Sequence, residues 1–234
     1  MEISIFVNDK YFANKGKELY RIIDEIKFAR IPIFINTIEP SENIGEVFAP
    51  HLKKHLRKGD VVFVSAKAIS VIEMRIASID EIYPSIFSKI FCKFAPKSLY
   101  CSGLRTPEAM EMAVSETGKW NIIKATFLSL INPDKYYQVL GEDIRAIDGP
   151  KANAVPPYDS YIFLGSYDYD QAAYEISEAI GYPVAVLGVS NIGPSIIGTS
   201  NDDMDEITLL KILSDNPLGQ PEEHTPCGII RGVK

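Results

Sequence analysis

In the stretch GEDIRAIDGPKANAVPPYDSYIFLGSYDYD, Gly141 to Asp170, two apolar runs each lead into carboxylates. Ile144 to Asp148 reads as a buried strand that breaks on Gly149-Pro150. Tyr161 to Leu164 reads as a second strand, leading to Asp168 and Asp170. Carboxylates at strand ends, beside stiff Pro and permissive Gly turns, commonly present metal or catalytic groups in α/β proteins. Asp before Gly-Pro is equally an ordinary turn former, and Asp170 suits a helix N-cap. Both readings stand at this point.

Three further groups have the right types for phosphate or metal chemistry. The apolar run VVFVSAKAIS reads as a buried strand finishing at Ser65, Lys67 and Ser70. A Lys there can meet a phosphate as a compact point charge, or snorkel to the surface. Glu73 and Arg75 follow within one turn and can pair with each other. In SNIGPSIIGTS, the residues Ser190, Asn191, Gly193 and Gly198 offer amides and small side chains to an anion, or form a tight turn between strands. The Gly-containing acidic loop NPLGQPEEHTP precedes a C-terminal strand, which is unusual for a mere tail. His51 and His55 stand at i and i+4, a metal-compatible spacing, but Lys53, Lys54, Arg57 and Lys58 around them make a solvated basic face the better reading.

The elements that would position these groups alternate. Glu2 to Val7 reads as a strand, Lys17 to Arg30 as a helix with an apolar stripe, and Ile31 to Ile35 as an edge strand because of Pro32. A helix starts near Ser41. Residues 77 to 133 read as mostly helical: Pro84 to Phe94, then Thr106 as N-cap of a helix stopped by Gly118, then Asn121 to Ile131. Tyr136 to Leu140 and Ile144 to Asp148 suggest a β-hairpin around Gly141-Glu142-Asp143. Asp170 to Ile180 is a helix closed by Gly181, Val184 to Val189 a buried strand, Asp205 to Leu213 the last helix and Cys227 to Arg231 a closing strand. The expected fold is therefore mixed α/β over a single domain, 1–234, with a possible helical subdomain at 77–133.

Composition sets outer limits. A chain of 234 residues, 46% apolar and 24% charged, has ample material for a core. A net charge of −7 argues against a nucleic-acid partner. Cys92, Cys101 and Cys227 have no short spacing and read as free thiols in a reducing compartment. No apolar run has spanning length and MEISIFVNDK lacks a signal-peptide pattern, so the expectation is a cytoplasmic protein with no membrane partner.

The order of these motifs resembles the coenzyme F-420-0:gamma-glutamyl ligase family, from about Ile38 to Arg231. The resemblance rests on Ser70-x-x-Glu73-x-Arg75, on Ala146-Ile147-Asp148 leading to Asn153, and on Asp168-Tyr169-Asp170. It continues through Val189-Ser190-Asn191 and Leu218-Gly219-Gln220-x-x-Glu223-x-x-Pro226. The wording of Ile147-Asp148-Gly149-Pro150 and Pro156-Pro157-Tyr158 looks closest to an archaeal paralogue branch. The resemblance implies a γ-glutamyl ligase-like fold, an intertwined homodimer, and an acid–amine ligase that uses GTP (or ATP) with Mg²⁺ or Mn²⁺. In that chemistry a substrate carboxylate is phosphorylated and an amino acid then attacks the acyl phosphate.

Carried over by motif, Asp148, Asn191 and Asp168 would hold metal. Ser70, Asn153, Ser190, Gly193, Gly219, Gln220 and Glu223 would line the nucleotide site, and Glu73 and Lys67 would serve catalysis. The family's Lys is Val71 here, its Gly is Met74, and its metal-binding Asp is Asn191, a neutral and weaker ligand for a hard cation. The alternative expectation is a non-catalytic protein that keeps the fold and binds a nucleotide or an F-420-type ligand.

Overall fold

The computed structural model describes residues 11–96, 103–133, 135–141, 144, 147–149, 157–190, 193–219 and 223–233. In chain order these form β1 (Tyr20–Ile23), β2 (Ile26–Ile33), α1 (Ile44–Leu52), β3 (Val61–Ser65) and α2 (Ala66–Ile72). Next come β4 (Ile76–Ser78), α3 (Ile86–Phe91), α4 (Pro107–Thr117), α5 (Lys119–Ser129), α6 (Lys135–Leu140) and β5 (Tyr161–Phe163). The chain continues through α7 (Tyr169–Ile180), β6 (Val184–Ser190), β7 (Gly193–Thr199), α8 (Glu206–Leu213) and β8 (Cys227–Val233). The class is mixed α/β, as the alternation of elements predicts. The chain divides into two compact units: Met1–Glu73 with Asp168–Val189 and Gly193–Lys234, and Met74–Tyr167 with Ser190–Ile192.

The first unit is built on a six-stranded sheet in the order β1-β2-β8-β3-β6-β7. β8 lies antiparallel to both β2 and β3, and β3 lies parallel to β6. One face buries Ile31, Ile33, Val62, Val64 and Val186 against α1, α2 and α7, which contribute Phe48, Ile69 and Ile176. The other face buries Phe63, Leu187 and Ile230 under Leu209, Ile212 and Leu213 of α8. A strand covered on both faces reads as a continuous apolar run, which is why VVFVS and VAVLGV stand out in the sequence.

The second unit carries the two-stranded β4–β5 sheet and the helices α3 to α6. Its core is made of Met110, Ile122, Tyr136, Leu140 and Ile162 with their neighbours. Thr106 caps α4 by accepting from the Ala109 N–H, Pro107 occupies the first turn and Gly118 ends the helix, as the sequence predicts. Tyr136 is fully buried, and burial pushes its phenol up to about 12.

Four expectations are corrected. Lys17 to Arg30 is not a helix: Tyr20–Ile23 and Ile26–Ile33 form a hairpin closed by Asp24 and Glu25, both at positive φ as a two-residue turn demands. The β-branched Ile22, Ile23, Ile26 and Ile31 favour strands, and the apparent helical stripe splits between faces, leaving Ile22 and Ile26 exposed. β2 is therefore an inner strand. Pro32 is tolerated because the Arg30 N–H points at Leu19, so the nitrogen two residues on faces the β1 side beyond the end of that ladder.

Residues 136–140 form no hairpin arm either. Lys135–Leu140 is a helix after Pro133, with Tyr136, Tyr137 and Leu140 buried, and it packs on α5. Of the expected second arm, Ile144 is helical and Asp148 forms a lone bridge to Phe163; residues 145 and 146 lie outside the described residues. Finally, Lys67 and Ser70 stand on α2, because the strand ends at Ser65. The strand proposed for Glu2 to Val7 lies outside the described residues.

Candidate functional site

In the first unit, the end of β3 meets the end of the loop that precedes β8. The chain turns from β3 straight into α2, so Lys67 sits in the first turn of that helix, half-buried. The Ser65 N–H donates to the Pro226 carbonyl at 2.8 Å, which seats the end of the Leu218 to Pro226 loop beside the start of α2. β6 runs parallel to β3, with Ser65 opposite Leu187, so the carboxyl ends of both strands point the same way. Outside the carboxyl ends of parallel strands is where open α/β sheets bind ligands, since loops rather than packed elements fill that space.

The loop is held from a distance in sequence. Gly219 has φ +72°, and a Cβ there would lie 1.7 Å from a Glu223 carboxylate oxygen and 2.9 Å from the Asn14 Cβ. That carboxylate accepts from the Lys15 N–H. Asn14 donates to the Pro217 carbonyl at 3.0 Å and to the Thr225 hydroxyl at 2.7 Å, while Thr225 donates to the Leu218 carbonyl at 2.7 Å. Gly219 and Glu223 are thus one packed unit, as their shared loop suggests. Asn14 and Lys15 carry no local signal, because their partners lie about two hundred residues away and only the folded chain joins them.

Just before this loop, Asp215 accepts from Arg21 at 2.9 Å and from Arg30, whose side chain is buried and also donates to the Ile212 carbonyl. Burial alone would raise the Asp215 carboxyl. The Arg30 hydrogen bond and charge, helped by Arg21, outweigh it and hold the group below its ordinary value. Cys227 opens β8 next to the loop, but burial pushes its thiol well up, so it is no nucleophile at neutral pH.

Other candidates stand elsewhere. The Ser70 residue is 1% exposed, and its hydroxyl donates to the Ala66 carbonyl at 3.2 Å, within α2. Glu73 follows the last turn of α2. Asp168 caps α7 by accepting from the Gln171 N–H at 2.9 Å. Asp170 accepts from the Thr199 N–H at 2.7 Å, and the next residue, Ser200, bonds to Val184 at the start of β6. The first turn of α7 therefore sits by the amino end of β6, away from the edge just described. Ser190 closes β6 and Gly193 opens β7. Asn153, Asn191 and Gln220 lie outside the described residues. A cavity of about 350 Å³ lies at the amino end of β3, lined by Phe28, Val61, Pro183, Met204, Leu209 and Ile230.

In the second unit, Asp148 is pinned by two backbone hydrogen bonds to Phe163, at 2.9 and 3.0 Å, with its side chain half-buried. Gly103 makes the pinning closer: a Cβ there would lie 2.2 Å from the Ile147 carbonyl oxygen. A carboxylate on so fixed a backbone is well placed to act as a ligand. Nearby in sequence to α2 but in this unit, Arg75 forks onto Glu116 at 3.1 and 3.3 Å, donates to the Gly165 carbonyl at 3.0 Å and lies over the Tyr167 ring. Among the described residues there is no group of three or more His, Cys, Asp or Glu that could hold a metal ion. Mg²⁺ is commonly bound through one or two protein carboxylates with waters and substrate phosphates, so Asp148 fits such a role in part.

The described residues form a mixed α/β protein with a loop seated at the end of β3 in one unit and a pinned carboxylate, Asp148, in the other. No protein-family model matches the chain. It is similar to a coenzyme F420:L-glutamate ligase from Methanopyrus kandleri, 25% identical over an alignment 230 residues long, with 84% of this chain and 83% of that protein covered. The two chains are distant relatives over most of their length.

Proposed function

We propose that the protein is an acid–amine ligase of the γ-glutamyl type, or a paralogue derived from one. The observation that carries this reading is the distant relationship to a coenzyme F420:L-glutamate ligase along most of both chains. The Ser65 to Pro226 hydrogen bond, which seats the end of the Leu218 to Pro226 loop beside the helix that carries Lys67, is compatible with it. In the proposed reaction the γ-phosphoryl group of GTP or ATP passes to a substrate carboxylate oxygen and the nucleoside diphosphate leaves. The amino nitrogen of an amino acid then attacks the acyl carbon, an amide bond forms, and inorganic phosphate departs with the C–O bond electrons. Lys67 would offset phosphate charge, and the loop amides around Gly219 would approach the nucleotide. Mg²⁺ or Mn²⁺, when bound through Asp148, would neutralise phosphate charge. A homodimer of the 26.1 kDa chain in a reducing cytoplasm completes the proposal.

A second reading, a binding protein without turnover, is favoured by two residues. Val71 and Asn191 stand where the resembled motifs have Lys and Asp, and the Ser70 hydroxyl is spent inside α2. One experiment separates the two. Melting temperatures are measured with GTP and with ATP, each with EDTA or Mn²⁺, on wild type and Asp148→Ala, followed by phosphate release with L-glutamate and candidate carboxylates. A ligand at about a hundred times its dissociation constant stabilises by roughly 2.7 kcal/mol. A metal-dependent shift lost in Asp148→Ala, with phosphate release, supports the ligase. A shift without release supports the binding protein, and no shift with either nucleotide ends the ligase and the nucleotide-binding readings alike.

A further inference from the structure

The residues that line the cavity of about 350 Å³ at the amino end of β3 all belong to the first unit. Its floor is the sheet face that carries Phe63 and Ile230. There Phe28 of β2 pairs with Gly232 of β8, and Ile230 pairs with Val61 of β3. Leu209 and Ile212 of α8 stand over them. β8 carries two glycines on this face, with opposite demands. A Cβ at Gly228 would lie 2.4 Å from the Phe63 ring, so packing excludes a side chain there. A Cβ at Gly232 would meet nothing within 4 Å, and its φ is not positive, so neither packing nor backbone requires glycine. Glycine weakens a strand, and in that setting it often marks a place that another molecule approaches closely.

Two carboxylates, Asp203 and Asp205, stand among the lining residues, and none of the described residues there is Lys, Arg or His. Asp202 and Glu206 adjoin them in the chain. The Thr208 N–H donates to Asp205 at 3.0 Å and, before any other cause, holds its carboxyl below the ordinary value, so the group is ionised at neutral pH. The cations of the surrounding elements are mostly engaged. Arg30 is held by Asp215 and the Ile212 carbonyl, Lys211 reaches Asp24 at 3.3 Å, and Arg231 pairs with Asp60. The Lys27 ammonium lies 4.1 Å from the Tyr20 ring centroid. Arg57 and Lys58, on the turn before Gly59, are then set against the four carboxylates from Asp202 to Glu206.

We propose that this cavity binds a small organic cation, its aromatic or aliphatic body over Gly232 and its ammonium group turned to Asp203 and Asp205. The volume falls at the small end of ligand pockets, which run from about 300 to 1,000 Å³. A second copy of the chain would set carboxylates against carboxylates. The inference is independent of the ligase reading: the cavity lies at the amino end of β3, whereas the Ser65 to Pro226 contact lies at its carboxyl end.

Tryptamine, tryptophol and indole-3-acetate share one body and end in an ammonium, a hydroxyl and a carboxylate. Each is titrated at low salt into the full-length protein carrying methyl-labelled methionine. Met204 lines the cavity and is one of five methionines, so its methyl resonance, assigned through Met204→Leu, reports on this site. The expected result is a saturable Met204 shift with tryptamine, about fivefold tighter than with tryptophol, and weakest binding of indole-3-acetate. Asp203→Asn/Asp205→Asn keeps the helix cap, since Asn caps as well as Asp, and should lower tryptamine to the affinity of tryptophol. Gly232→Leu occupies the open space and should abolish the shift without lowering the melting temperature. If it does perturb folding, the Asn pair carries the test alone. No saturable shift with tryptamine overturns the proposal, as does a shift that survives Gly232→Leu. Equal affinity for all three probes, or a preference for indole-3-acetate, overturns the cationic assignment. A Met204 shift that follows protein concentration without ligand assigns the cavity to a second copy and overturns it too.

Discussion

Replacing Gly219 by Ala tests whether the loop before β8 is built as described. Two costs follow from the geometry. The backbone sits at φ +72°, where an L side chain costs about 1–2 kcal/mol. The new Cβ would also fall 1.7 Å from a Glu223 carboxylate oxygen, so that flexible side chain must swing away and give up the Lys15 N–H, roughly 1 kcal/mol for a solvent-accessible bond. The sum is about 2–3 kcal/mol. For a chain of this size that lowers the melting temperature by roughly 5–10 °C. Unfolding should be followed by far-ultraviolet circular dichroism, because Trp120 lies in the other unit and its fluorescence would miss the event. In a Glu223→Ala background the backbone cost and the 2.9 Å approach to the Asn14 Cβ remain, so the same substitution should cost about 1 kcal/mol less, beyond the ~0.5 kcal/mol scatter of additive sites. An equal cost in both backgrounds would show that Glu223 does not pack over Gly219, and the built loop would be refuted.

The buried pair of Asp60 and Arg231, joined at 2.6 and 2.8 Å, gives a second test. Asp60→Asn leaves a buried guanidinium uncompensated and should destabilise by about 3 kcal/mol in urea melts. Glu116→Gln keeps an acceptor for Arg75 but removes the charge from a partly exposed carboxylate, so a loss of only about 1–2 kcal/mol is expected, visible in Trp120 fluorescence because both residues share its unit. Asp215 is held below its ordinary carboxyl value, so its contribution is full above about pH 4 and is lost as pH falls through the native value. Wild-type stability should therefore fall more steeply than that of Asp215→Asn below about pH 4, and parallel acid limbs would contradict the Arg30 and Arg21 contacts.

The parts of the fold legible in the sequence were those set by local chemistry. Thr106-Pro107 and Gly118 around α4, Gly181 after α7 and the continuous apolar runs of β3 and β6 each depend on neighbours in the chain. Where partners are distant, the local signal misleads. The Ile-rich stripe from Leu19 to Phe28 fits a helical wheel until β8 supplies a strand for β2 to pair with. Tyr136, Tyr137 and Val139 favour a strand until α5 offers a helical face to pack on. The contacts around the loop divide the same way: Gly219 and Glu223 pack on each other four residues apart. The Asn14 and Lys15 clamp and the Arg75–Glu116 fork join segments that no short window contains.

β8, which follows β1, β2, β3, β6 and β7 in the sequence, has a central seat in its sheet, between β2 and β3. During synthesis the hairpin of β1 and β2 and the pair of β3 and β6 thus remain two unjoined pieces, each with an open edge. The helices of the second unit, whose contacts are short in sequence, have no such delay. A nascent chain stalled before Cys227 would present a folded helical unit beside a split sheet, a form open to chaperones and to proteolysis. The joining of β2 to β3 through β8 is then a step that waits for the Cys227–Val233 segment.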